Sequence, residues 1–283
     1  MVEKKVILAV LAHPDDETFG MGGTLALYAR RGVDVHLVCA TRGEVGEVPE
    51  GMMDGFKSVA ELREDELIRA GEILGLKSIN FLGYRDSGMP GSADNHHPQA
   101  LAAANLDDVA GKVVHYIRLL KPQIVLTFDP IGGYRHPDHI AIQRAAEKAF
   151  YAAGDPAEYT KDLTAFAPAK LYFHTMPKRY IRFGVFLMRL LGRNPRKFGR
   201  NGDIDLEAIA SVSFPTNARI DYHTVAEVRN RAAACHASQG GTQITSNGLI
   251  GRIRAFFGSK DLFMRAYPPP TRHIERDLFE GIE

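Results

Sequence analysis

Several shortages in this chain each close off a class of function. Among 283 residues there are two cysteines, Cys39 and Cys235. Two cysteines build neither a disulfide framework nor a Cys-based zinc site, and they suit a reducing cytoplasm. No apolar run approaches the roughly eighteen residues of a membrane span. Neither sign of charge dominates, and a net charge of +1 gives no global footprint for nucleic acid. No repeat of about 20–50 residues and no low-complexity tract is visible, which removes solenoids and arrays. Lys4-Lys5 before an apolar stretch imitates the start of a signal peptide. That stretch is short, lacks a small-residue cleavage site and runs into charges, so a first strand is expected.

With 45% hydrophobic and 24% charged residues, the composition is that of a globular protein. Up to residue 175 the pattern alternates. Strands are expected at 6–12, 34–40, 78–82, 123–128 and 170–174, and helices at 23–31, 58–74, 106–120 and 138–152. The helix from Ser58 has the clearest signals: Ser58 as N-cap, Glu61 three residues on, and Gly75 as a stop. The expected fold is α/β, a Rossmann-like, mainly parallel sheet with helices on both faces. We expect one domain over 1–283, with the α/β core in 1–175 and an extension, 176–283, that walls a pocket. In the extension a helix is expected at 224–236, and Pro268-Pro269-Pro270 marks a rigid, extended tail.

Ligands of such sheets bind outside the carboxyl ends of the strands. Those ends carry His13-Pro14-Asp15-Asp16-Glu17, Thr41-Arg42-Gly43-Glu44, Gly83-Tyr84-Arg85-Asp86, and Asp129 followed by His136-Pro137-Asp138-His139. Imidazole and carboxylate are zinc ligands, and a catalytic zinc takes three of them. His13, Asp16, His136 and His139 exceed that need. The surplus suits a hydrolytic site, which also requires a base for water and a donor for the oxyanion. Each cluster has a plainer explanation: a core histidine, capping acids, an N-capped turn. These explain the clusters singly but not their sharing of one sheet edge. Dinucleotide binding is excluded, because the first strand leads into acids rather than G-x-G-x-x-G.

"AHPDDE" after the first strand and "GGYRHPDH" after the fourth resemble the PIG-L/LmbE-like N-acetylglucosamine deacetylases, with "CHASQ" (235–239) as a further match. The resemblance implies a zinc-dependent hydrolase that removes acetyl from an N-acetylglucosaminyl conjugate, a small-molecule partner. It implies His13, Asp16 and His139 as metal ligands, Asp15 as general base, and His136 as the oxyanion donor and possible acid for the leaving amine. Asp138 would orient and charge His136. Arg63, Glu44, Asp86 and Tyr134 fall at positions near the sugar, and no organic cofactor is implied. His236 is left between a supporting role and packing. Two His and one carboxylate also suit Fe2+ or another divalent metal.

Three other functions compete: an amidase acting on a larger N-acyl substrate such as a thiol S-conjugate, a phosphoesterase, and an inactive binding module. Phosphoesterases commonly use two metals, and the completeness of the His/Asp set argues against a relic. His96 and His97 read as a turn or pocket rim. Residues 175–202 hold eight Lys or Arg and no acid. This segment reads either as an interfacial membrane helix over 178–200 or as a lid or subunit contact; we expect the latter, and with it a homo-oligomer.

Overall fold

The structure, a computed structural model, describes residues 4–160, 163–176, 178–199, 202, 204–242 and 258–282. Pro177, Arg200 and Asn201 of the basic segment lie outside the described residues, as do the side chains of Arg179 and Tyr180. Strands β1 (Val6–Leu11), β2 (Asp34–Cys39), β3 (Ser78–Phe81), β4 (Ile124–Phe128) and β5 (Lys170–Thr175) run parallel. Between them lie α1 (Asp16–Phe19), α2 (Gly22–Arg30), α3 (Val59–Leu74), α4 (Leu106–Leu120), α5 (Gly132–Arg135) and α6 (Pro137–Ala152). β1 reads VILAVL and every residue in it is buried, as a strand covered on both faces requires. α3 is set by its ends. Ser58 Oγ accepts the Glu61 N–H at 3.2 Å, Glu61 accepts the Lys57 N–H at 2.7 Å, and Gly75 closes the helix at φ 79°.

Among the described residues, seven strands form one sheet in the order β3-β2-β1-β4-β5-β7-β6. The chain winds outward from β1 to β3, then returns to β4 on the other side of β1. The topological switch therefore lies between β1 and β4, where a ligand crevice opens. The loops leaving these two strands carry the two His-Pro-Asp motifs.

The extension departs from expectation. Beyond α7 (Lys178–Leu190) and α8 (Leu206–Ser211) it adds β6 (Ala218–Asp221), α9 (Ala226–Cys235) and β7 (Lys260–Tyr267). β7 pairs antiparallel with β5 and β6 with β7, so the extension lengthens the sheet as well as lining the pocket. The tail after Pro270 folds back instead of projecting. Leu278 and Phe279 are buried, and Glu275 accepts from Lys170 Nζ at 2.7 Å and Tyr172 Oη at 2.6 Å. No described helix is long and apolar enough to cross a membrane.

Candidate metal centre and active site

β1 ends in a turn rather than a helix. Asp16 Oδ2 accepts the His13 N–H at 2.7 Å, folding its carboxylate under the first imidazole. Asp15 sits at φ 114°, ψ −28°, a region that non-glycine residues rarely occupy. Other groups hold it there. Glu17 Oε2 accepts the Asp15 N–H at 3.0 Å, and Arg63 Nη2 donates to Asp15 Oδ2 at 3.1 Å. The same guanidinium donates to Pro14 O at 2.7 Å and to Gly43 O at 3.0 Å. A Cβ on Gly43, at φ 68°, would stand 2.1 Å from Arg63 Nη1, so glycine there makes room for the brace.

β4 ends differently. Its loop leads into α6 with His136 as N-cap, accepting the Asp138 N–H on Nδ1 at 3.2 Å, and with Pro137 in the first turn. One turn into α6, His139 stacks on Phe128, with ring centroids 3.9 Å apart. Its Nδ1 meets Gly132 O at 3.2 Å. A carbonyl only accepts, so Nδ1 carries the proton and Nε2 keeps its lone pair.

The two loops meet. His13 Nδ1 lies 3.2 Å from His139 Nε2 and 3.6 Å from Asp16 Oδ2, and His139 Nε2 lies 3.2 Å from Asp16 Oδ1. On its other side His13 Nε2 faces Asp138 Oδ2 at 3.1 Å and Asp86 at 3.5 Å. With Nε2–H donated to Asp138, His13 Nδ1 also presents a lone pair. Two nitrogen acceptors and a carboxylate therefore converge, and a cation between them satisfies all three. Ligands about 2.0–2.2 Å from a tetrahedral zinc stand roughly 3.4 Å apart, close to these separations. The donor set fits a divalent metal.

Two other groupings also lie within 4.8 Å: His13 with His136 and His139, and His13 with Asp86 and Asp138. In the first, His136 has already committed Nδ1 to the Asp138 N–H. In the second, Asp138 also accepts from the Ser87 N–H at 2.8 Å and from Ser87 Oγ. Those bonds make Asp138 a support for His13 rather than a ligand. This corrects the sequence expectation for Asp138. Its carboxylate meets His13 and Ser87, while its backbone meets His136.

The electrostatics follow from burial and neighbours. Burial raises Asp15 to about 6, opposed by the Arg63 cation and assisted by Asp16. Burial would raise Asp16 too, but the His139 and His13 rings overcome it and hold that carboxyl well below the usual range. Burial and then the neighbouring His13 and His139 push His136 down to about 2, so it is a neutral ring. With Nδ1 accepting, its Nε2 carries the proton and can donate.

A cavity of about 740 Å³ opens over these groups, lined by His13, Asp15, Arg63, Asp86, Tyr134 and His136. Of the four expected sugar contacts, Asp86, Tyr134 and Arg63 reach the wall. Glu44 does not line it; it accepts the Asp86 N–H at 3.0 Å and so touches the wall only through that residue. Arg63 is committed chiefly to Asp15 and two carbonyls. His96 closes a 3-10 turn, Ala93–His96, pinned by Arg85 Nη2 to Asp94 at 2.7 Å, which fits the turn reading.

Several residues were missed. Ser87 fixes Asp138. Pro49, Met52 and Met89 form apolar walls, and Gln239 forms a polar one. The long irregular connection between β2 and α3 was a signal, because loops of that length in a compact domain commonly serve binding. "CHASQ" also acquires a role. His236 Nε2 lies 2.6 Å from Glu17 Oε1, both fully buried, and Ser238 donates N–H at 2.8 Å and Oγ at 2.7 Å to Glu66. Arg229 Nε donates to Thr18 O at 3.0 Å, clamping α9 onto α1. The extension thus supports the residue that holds Asp15.

Comparisons with known proteins agree with this geometry. Residues 8–150 match the family model PIG-L, described as GlcNAc-PI de-N-acetylase. A protein of Geodermatophilus obscurus named 1D-myo-inositol 2-acetamido-2-deoxy-alpha-D-glucopyranoside deacetylase is 38% identical, across 100% of this chain and 99% of its own. Among solved structures, N,N'-diacetylchitobiose deacetylase from Pyrococcus horikoshii superposes with a TM-score of 0.64 at 21% identity, covering 93% of this chain and 84% of that one. The 4-carboxy-2-hydroxymuconate hydratase GalB of Pseudomonas putida KT2440 superposes at 0.62 with 20% identity, covering 95% and 99%. That pair shows the fold alone, since one architecture serves a deacetylase and a hydratase. The family match and the full-length relative, together with the His-Pro-Asp loops that meet at the switch point, place the chain in the PIG-L family of deacetylases.

Proposed function

We propose that the protein is a zinc-dependent hydrolase that releases acetate from an N-acetylglucosaminyl conjugate of the glucosaminyl-inositol kind. The observation that carries this is the convergence of His13 Nδ1, His139 Nε2 and the Asp16 carboxylate beside a cavity that also holds Asp15 and His136. His13, Asp16 and His139 would hold the cation, which when bound supplies Lewis acidity toward water and carbonyl. Asp15, with its carboxyl raised by burial, takes the proton of the attacking water as the acetyl carbonyl is attacked. His136 donates Nε2–H to the oxyanion. That proton is then engaged, so we assign protonation of the leaving nitrogen to Asp15, which has just taken a proton from water, rather than to His136. Asp86 and Tyr134 offer polar groups to the sugar. Cys39 and Cys235 are both free, which supports action in a reducing cytoplasm.

Acetate release from N-acetylglucosaminyl-inositol and N,N'-diacetylchitobiose, and acyl release from thiol S-conjugates, tests the reading. The expected result is acetate from the inositol conjugate, abolished by chelator and restored by Zn2+ in preference to Fe2+. Turnover of the thiol conjugates alone would transfer the site to the amidase reading. Chelator-insensitive turnover would overturn the metal centre.

A further inference from the structure

The basic segment leaves an apolar face uncovered. Phe183, Phe186, Leu187 and Leu190 follow the i, i+3, i+4, i+7 spacing of one helical stripe. Each is exposed, Phe183 and Phe186 at 62% and Leu190 at 71%, and Leu191 continues the stripe at 64%. α7 is the most amphipathic of the longer described helices. A single exposed leucine needs no explanation, but four large apolar side chains on one helix, with Leu191 just past its end, form a patch.

The charge around this patch is lopsided. Residues 175–211 hold eight Lys or Arg against three acids, while the whole chain sums to +1, so the remainder of the protein is net acidic. Not all of these cations are free. Glu207 accepts from Arg189 at 2.8 Å and from Arg196 at 2.9 Å, and Arg182 donates to Ala210 O at 3.1 Å. One acid is thus shared between two arginines, and the local excess stays positive.

We infer that α7 is a docking face for an anionic phospholipid bilayer. Its combination of Phe and Leu on one side, basic residues beside them and limited length is that of a helix lying in a membrane interface. Anionic headgroups complement the basic excess. A second copy of the chain fits less well. A two-fold contact would set the same cationic segment against itself, and like charges would face one another. This departs from the subunit contact expected from sequence, because the stripe is turned to solvent and the charge around it is net positive. The face is also joined to the active-site rim. α7 follows the carboxyl end of β5, and α8 is tied to α5 by Arg135 Nη2 donating to Ala208 O at 3.3 Å; α5 carries Tyr134 of the catalytic cavity.

Co-sedimentation of the full-length protein with vesicles tests this. Vesicles of phosphatidylglycerol and phosphatidylcholine in equal parts are compared with phosphatidylcholine alone, at low and high salt. The expected result is binding to the anionic vesicles that falls about tenfold or more in high salt and on neutral lipid. The double variant Phe186→Ser/Leu190→Ser should lose about tenfold in binding while its deacetylation of a soluble substrate is unchanged, which shows it folded. Absence of anionic-vesicle binding at low salt overturns the inference, as does equal binding by variant and wild type. A wild-type dimer that the variant converts to monomer, without vesicle binding, assigns the face to a second copy instead.

Discussion

The two His-Pro-Asp turns share three letters and almost nothing else. The second is locally determined. Its histidine caps α6, its proline occupies the first turn, and His139 follows with a stacked ring and a fixed tautomer. The first is held from outside. Asp15 stands at φ 114°, a conformation costing on the order of 1–3 kcal/mol, and Glu17, Arg63 and through them His236 maintain it. One turn therefore places His136 and His139 from a self-sufficient helix start. The other places Asp15, whose position depends on residues far along the chain.

Substitutions can separate these two dependencies. The largest effect is expected from the centre itself. His139→Ala should lose both bound metal and acetate release, whereas Asp15→Asn should keep its metal stoichiometry and lose roughly 10²–10⁴ in kcat. Metal analysis beside kcat checks the pair, and retained turnover in Asp15→Asn would remove the base assignment. Next, Glu17→Ala strips the buried partner from His236 and the acceptor from the Asp15 N–H. Urea unfolding should show a loss of roughly 3–5 kcal/mol, with Glu17→Gln milder because it keeps an acceptor. If Glu17→Ala is as stable as wild type, the external support of the first turn is not real. Asp138→Asn should weaken metal affinity by about 10–100-fold in chelator competition, through the orientation of His13. An effect on His136 alone would instead change kcat without changing affinity.

The smallest expected effect is a shift in the pH profile. Asp15 must be ionised to accept a proton, so kcat/KM rises with pH through its pKa, which burial lifts to about 6. The Arg63 cation opposes that lift. Removing its charge in Arg63→Gln raises the Asp15 pKa further and moves the acid limb upward by roughly one unit. A limb that moves down or stays in place would detach Arg63 from the base.

Much of the core was legible because its determinants are local. β1 is an unbroken apolar run, α3 carries its own caps, and both His-Pro-Asp motifs sit in loops that leave the carboxyl ends of strands. The alternating pattern implies a mainly parallel sheet, while the strand order that brings the motifs together is seen in the pairing. The extension was less legible for physical reasons. β6 is four residues long with alternate faces exposed, and β7 mixes Lys260, Asp261 and Arg265 with its apolar residues. β7 owes its strand character to pairing with β5, and β6 to pairing with β7, rather than to their own sequences. The structure brings His13, Asp15, Asp16, His136 and His139 together, but the partners of Asp138 were not legible. Spacing along a helix cannot reveal Ser87, 51 residues away, or the Glu17–His236 pair, separated by 219. Such contacts exist only in three dimensions.

That last separation bears on how the enzyme is made. Translation delivers both His-Pro-Asp loops by residue 139, yet the imidazole that steadies the first of them emerges nearly a hundred residues later. A nascent chain holding only the parallel core has His13, Asp16 and His139 but lacks the strut behind Asp15, which arrives only when α9, in the final third of the polypeptide, closes over α1.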